Sequence, residues 1–267
     1  MSFSISGKTA IVTGAANGIG LAIARHFVER GANVMCADMD EKKLVEEWRD
    51  PARTEENLAY FAGDLRQRLT IANLISATID QFDQVDILVN ASRQMLTTDP
   101  LDVEDTSVSL LMEQNVMTAL QLTQQVARRM IKQGEGQEEG QVGSIVNLSS
   151  ITAHHTRPEL MAFSMASAAM EQMTRSMALV LAQHRIRVNA VAFGSVMSNS
   201  LKLSMADHSE WRDDIRSHTP LGRIAAPSEL SEAVQFLAAE SSGFVTGQVI
   251  TIDGGRSLLD AVAAPAH

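Results

Sequence analysis

Thr13-Gly14-Ala15-Ala16-Asn17-Gly18-Ile19-Gly20 joins an apolar, β-branched run at 9–13 to a segment of helical periodicity at 18–30. Its glycines let the backbone turn sharply and approach a partner closely, and the free N–H groups that open a helix attract an anion. A strand, a glycine-rich turn and a helix in that order are how open α/β sheets hold a pyrophosphate. The spacing is Gly-x-x-x-Gly-x-Gly rather than Gly-x-Gly-x-x-Gly, and a glycine cluster alone also suits any tight strand-to-helix turn. Gly14, Asn17, Gly18, Ile19 and Gly20 are the candidate phosphate-side positions.

The next strand, at 33–37, runs into Asp38, eighteen residues beyond Gly20. A carboxylate there can accept from the two ribose hydroxyls of adenosine and would repel a 2′-phosphate, which favours NAD over NADP. Its competing role is to cap the helix that starts near Asp40. Asp64 and Leu65 follow a third strand and Asn90 a fourth, so these three are candidate neighbours of the adenine. All lie where α/β sheets bind ligands, at the carboxyl ends of consecutive strands.

Further apolar runs at 86–89, 144–148, 187–192 and 248–252 alternate with longer helical segments. That alternation predicts a Rossmann-type, doubly wound parallel sheet with helices on both faces. Helices are expected at 18–30, closed by Gly31; at 102–132 with a break near Thr106 and Ser107; from Pro158 to about His184; and from Pro227 to 239. Residues 133–143, rich in glycine and glutamate, read as an acidic surface loop, and 198–219 as a lid segment with Leu201, Met205 and Trp211 as candidate pocket residues. The 267 residues are expected to form one domain, since no linker divides them.

A net charge of −10 with no compensating basic block argues against a nucleic-acid partner. No run reaches the ~20 apolar residues of a membrane span, and the first residues lack the apolar stretch of a signal peptide. The single cysteine, Cys36, cannot form an internal disulfide, so the cytoplasm is the expected compartment. No metal site is expected.

From Lys8 to Gly255 the chain resembles the short-chain dehydrogenase/reductase family. Thr13–Gly20 matches its Thr-Gly-x-x-x-Gly-x-Gly loop, and Asp64 its adenine-contacting aspartate. Asn115 resembles its helix asparagine. Ile145-Val146-Asn147-Leu148-Ser149-Ser150 is similar to the strand ending in its catalytic serine, Ser150. Val188-Asn189-Ala190-Val191 and Ile252-Asp253-Gly254-Gly255 match later signatures. The resemblance implies an oxidoreductase acting on a small molecule with a nicotinamide dinucleotide, Val196 among the cofactor-side positions, and self-association as a dimer or tetramer.

The departures fall on chemistry. The family's Tyr-x-x-x-Lys pair should lie thirteen residues after Ser150, where this chain has Phe163 and Ser167. Its Asn-Asn-Ala-Gly reads Asn90-Ala91-Ser92-Arg93, and its Pro-Gly reads Phe193-Gly194. In the family an ammonium one turn from a phenol lowers the phenol's pKa from ~10, and the phenol exchanges a proton with the substrate while hydride moves. Tyr60 is the only tyrosine, and no lysine lies between Lys132 and Lys202, so the pair is absent rather than displaced. Losing general acid–base catalysis costs about 10²–10⁴ in rate.

Three functions compete: an NAD-binding member with weak or absent hydride transfer; a working oxidoreductase that pairs Ser150 with His154 or His155 as a substitute acid; and a non-redox lyase or isomerase on the same scaffold. Arg93 supplies a cation near the nicotinamide ribose, obstructs the pocket that glycine leaves open, or points into solvent. The sequence leaves these open.

Overall fold

The strands expected to be buried on both sides are. Thr9–Thr13 (β1) and Ile87–Asn90 (β4), with Gly143–Ser150 (β5) and Ile186–Phe193 (β6), are buried along their whole length. Such runs of Val, Ile, Leu and Ala cannot face water on either side, so helices must cover both faces. The computed structural model describes residues 2–48, 56–208, 210–260 and 262.

The helices are Gly18–Glu29 (α1), Glu41–Trp48 (α2), Arg68–Phe82 (α3), Ser107–Leu111 (α4), Thr118–Gln133 (α5), Met161–Ala182 (α6), Asn199–Asp207 (α7), Glu210–Ser217 (α8) and Pro227–Ala238 (α9). With Asn33–Asp38 (β2), Leu58–Ala62 (β3) and Val249–Ile252 (β7), the strands form one parallel sheet in the order β3-β2-β1-β4-β5-β6-β7. The order reverses between β1 and β4, and a crevice opens there at the carboxyl edge. One core, containing Phe27, Leu44, Trp48, Leu230 and Val234, packs α1, α2 and α9 on one face. The other, containing Leu74, Leu122, Val126 and Leu181, packs α3, α5 and α6 on the opposite face.

Two expected helices begin elsewhere. The one expected from 102 starts at Ser107, and a π-helical turn, Met112–Met117, links α4 to α5. Pro158 opens a short 3₁₀ turn, Pro158–Leu160, and the α-helix follows at Met161. Residues 198–219 contain the two short helices α7 and α8. Trp211 there is half-exposed and stacked on His208, with ring centroids 4.3 Å apart. Among the described residues, no helix is long and apolar enough to cross a membrane, and no group of three or more His, Cys, Asp or Glu is placed to hold a metal.

Candidate active site

The turn 13–20 sits at the carboxyl end of β1, on the crevice. Gly20 is irreplaceable by geometry, since a Cβ there would lie 2.2 Å from the Gly14 carbonyl oxygen. Gly18 has φ +58°, and nothing lies within 4 Å of where its Cβ would be, so this corner of the turn faces open space. Asn17 makes no side-chain cap, and among the described residues the N–H groups of Gly18, Ile19 and Gly20 have no protein acceptor. They are the orphan donors that hold an anion at a helix start.

Asp38 holds the turn in place. Its Oδ2 accepts from the Ala16 N–H at 3.1 Å and its Oδ1 from the Asp40 N–H at 3.1 Å. The cap of α2 is Asp40, whose Oδ1 accepts from the Lys43 N–H at 3.1 Å, so Asp38 is not spent on that role. Each Asp38 oxygen keeps a lone pair for a further donor. From beneath, the Trp48 indole N–H donates to the Ala15 carbonyl at 3.0 Å.

The candidates around adenine are brought together less well. Asp64 forms a forked ion pair with Arg66, with Nη2 2.7 Å from Oδ2 and Nε 2.8 Å from Oδ1. Hydrogen bonding from Arg66 holds the Asp64 carboxyl below its usual range. Leu65 packs into the core in one cluster with Ile71 and Leu74. Asn90 donates to Asn147 Oδ1 at 2.8 Å and Thr123 Oγ1 at 3.1 Å, and Asn147 in turn donates to Thr174. A buried amide must be paired, and this relay ties β4 and β5 to their covering helices while Asn90 still lines the small cleft beside Ser92 and Arg93. Val196 is also buried in the core and bridges to Ala225.

Across the reversal point the chain leaves β4 through a pinned turn. The Thr13 hydroxyl accepts from the N–H groups of Ala91 at 3.0 Å and Ser92 at 2.9 Å. Asn115, within the π-helical turn, accepts from the Gln94 N–H and donates to the Gln94 carbonyl, both at 2.8 Å. A π-turn commonly marks a functional position, and here it aims one amide at one peptide. Thr13 opens the Thr-Gly-x-x-x-Gly-x-Gly match, but the sequence did not indicate this clamp.

Between these two clamps stands Arg93. Its guanidinium carbon lies 4.1 Å from the Phe193 ring centroid and 5.2 Å from that of Phe163, and Nη1 donates to the Ser149 carbonyl at 2.9 Å. No carboxylate among the described residues pairs with it. Burial pushes its pKa down to about 10, so it stays a cation at neutral pH. Phe163 is 4% exposed. The Ser167 hydroxyl donates back to the Phe163 carbonyl at 2.8 Å, one turn behind it, and so belongs to the helix backbone.

Ser150 ends β5 opposite Phe193, with its Oγ accepting from the Thr152 N–H at 3.2 Å. Asn115, Phe163, Ser167 and Arg93 line one small cleft with Ser92 and Met170. His154 and His155 do not line it. His154 Nε2 is 2.9 Å from Glu171 Oε2, and His155 is exposed. The buried Glu171, which also meets Arg175 and the Ser149 hydroxyl, escaped sequence reasoning because it sits inside an apolar helix pattern.

As a seat for a nicotinamide dinucleotide the two sides of the crevice differ. The donors of the turn, the open corner at Gly18 and the free lone pairs of Asp38 fit the adenosine and pyrophosphate. Over β4, β5 and β6, a cation and two phenyl rings already fill the edge.

A family model described as enoyl-(acyl carrier protein) reductase matches residues 14–257. The chain is similar to 3beta-hydroxysteroid dehydrogenase 2 of Eggerthella lenta, 30% identical over 257 residues, covering 95% of this chain and 96% of that protein. It is also similar to the 3-oxoacyl-(acyl-carrier-protein) reductase of Thermotoga maritima, 31% identical over 256 residues, covering 94% and 98%. In structure it is similar to a short-chain dehydrogenase/reductase of unknown function from Caenorhabditis elegans solved with cofactor. The TM-score is 0.85 at 28% identity, over 96% of this chain and 97% of that one.

Proposed function

The chain belongs to the short-chain dehydrogenase/reductase family, and from that premise we propose that it is an NAD-preferring, nucleotide-binding member whose hydride-transfer chemistry is weak or lost. The observation that carries this is the pair on α6. Phe163 has no proton to give, and the Ser167 hydroxyl is bonded to the Phe163 carbonyl, so α6 itself offers neither an acid nor a cation one turn behind it. A bound nicotinamide dinucleotide would supply a hydride donor or acceptor. This chain's part is to hold it: the Gly18, Ile19 and Gly20 N–H groups meet the phosphates, and Asp38 accepts from the adenosine ribose.

A substitute acid finds little support. His154 is turned to Glu171 and His155 to solvent, and neither lines the cleft that Phe163 and Ser167 share. Ser150 keeps a hydroxyl but has no partner to move its proton.

Two measurements test the reading. Calorimetry with NAD and NADP is expected to show tighter binding of NAD, with Asp38→Ala narrowing or reversing the preference; equal affinities in the unmodified protein would overturn it. A panel of alcohols and ketones with either cofactor is expected to give negligible turnover. Turnover near the enzyme median of about 10 s⁻¹ would show that a working acid exists.

A further inference from the structure

A dinucleotide lies across an open α/β sheet at the point where strand order reverses. Its pyrophosphate sits at the first helix, one nucleoside over the strands on one side and the second over those on the other. Here the reversal falls between β1 and β4, so the second nucleoside belongs over the ends of β4, β5 and β6. One side chain already spans those three ends. Arg93 follows β4, donates to the Ser149 carbonyl on β5, and sets its guanidinium carbon 4.1 Å from the ring centroid of Phe193, the last residue of β6, and 5.2 Å from that of Phe163 on α6.

The placement is built rather than incidental. Thr13 fixes the peptides of Ala91 and Ser92 just before Arg93, and Asn115 fixes both polar groups of Gln94 just after it. A guanidinium over aromatic faces is stabilised by the ring quadrupole, more so out of water. A planar, cationic group set over two rings offers the flatness and charge of an oxidised nicotinamide.

We propose that Arg93 is a resident stand-in for the second nucleoside, and that the ligand this chain takes is a nucleoside diphosphate: the adenosine-diphosphate half of a dinucleotide, without contribution from the nicotinamide half. The inference rests on the nucleotide-binding reading above and deepens it. On this assignment NAD binds by its adenosine end alone, and the nicotinamide stays outside the cleft.

The test is calorimetry of the full chain with ADP, NAD and nicotinamide mononucleotide. ADP and NAD are expected to bind within threefold of each other, and the mononucleotide not at all. Arg93→Gly is expected to tighten NAD at least tenfold while ADP changes less than twofold. NAD binding tenfold or more tighter than ADP to the unmodified protein overturns the stand-in and leaves the nucleotide reading standing. An unchanged NAD-to-ADP ratio in Arg93→Gly does the same. Failure of both ADP and NAD to bind overturns the nucleotide reading and this inference with it. Should Arg93→Gly not fold, thermal shift on the unmodified protein decides: equal concentrations of ADP and NAD are expected to raise Tm equally, and a larger rise with NAD overturns the proposal.

Discussion

At position 163 phenylalanine lacks one oxygen of tyrosine, and at 167 serine lacks the ammonium of lysine. Neither lack can be made good separately. The cation beside a phenol at 163 would be Arg93, which on the proposal above holds the place of the nicotinamide, so Phe163→Tyr alone is expected to restore little. Ser167→Lys alone supplies charge without an acid. The double variant is expected to exceed the product of the single effects, because the two groups act as a unit. It should still fall well short of the median of about 10 s⁻¹ while Arg93 remains, and adding Arg93→Gly is expected to raise it again. NADH oxidation against a small ketone panel measures all of these variants, and a double variant no better than either single would place the fault elsewhere. Residue identity was fully legible here, since the single tyrosine and the lysine-free stretch between Lys132 and Lys202 can be counted directly. The direction of Arg93 was not. It depends on a ring at 193, a hundred residues away in sequence, and on a carbonyl at 149, and no local pattern encodes such a contact.

Elements were read correctly where a single period dominates and misread where side chains compete with the backbone. The helix expected from 102 fails to start there because Asp99, Asp102 and Asp105 each accept from a backbone N–H two residues on, at Leu101, Glu104 and Ser107. Such turns offer the chain an alternative to helix, and the helix begins only after the last of them. The π-helical turn was invisible for a different reason: one inserted residue barely alters an apolar stripe. Another tertiary device joins elements without a sequence signal. Arg187 on β6 donates to the Leu237 and Ala239 carbonyls at the end of α9, at 2.8 Å and 3.1 Å, and to the Val245 carbonyl at 3.2 Å. A cation suits the carbonyl end of a helix, and hydrogen bonds to charged groups are worth about 1.5–3 kcal/mol. Arg187→Met is therefore expected to lower unfolding free energy by about 3 kcal/mol, read as a fall in the urea midpoint. Arg187→Lys should recover only part, since one ammonium cannot serve the Leu237 and Ala239 carbonyls, which Nη2 meets, together with the Val245 carbonyl at Nη1 and Gln141 at Nε. A loss below about 0.5 kcal/mol in the Met variant, the range of a neutral surface change, would refute this account.

For the molecule as a whole, strand alternation gave the parallel sheet, and the glycine turn with Asp38 located one side of its crevice. Those features are local in sequence, which is why they could be read. The other side is assembled from Thr13, Arg93, Asn115, Ser149, Phe163 and Phe193, contributed by six separate segments, and only the fold brings them together. The indole under the glycine turn has an optical consequence. The chain contains two tryptophans. Trp48 is almost fully buried and bonded to the Ala15 carbonyl of that turn, while Trp211 is half-exposed on α8. In a Trp211→Phe background, the remaining emission comes from a fluorophore hydrogen-bonded to the turn itself. A phosphate settling there perturbs that bond, so the protein carries a built-in, label-free signal for ligand arrival, and stopped-flow fluorescence can follow the event in time without any attached dye.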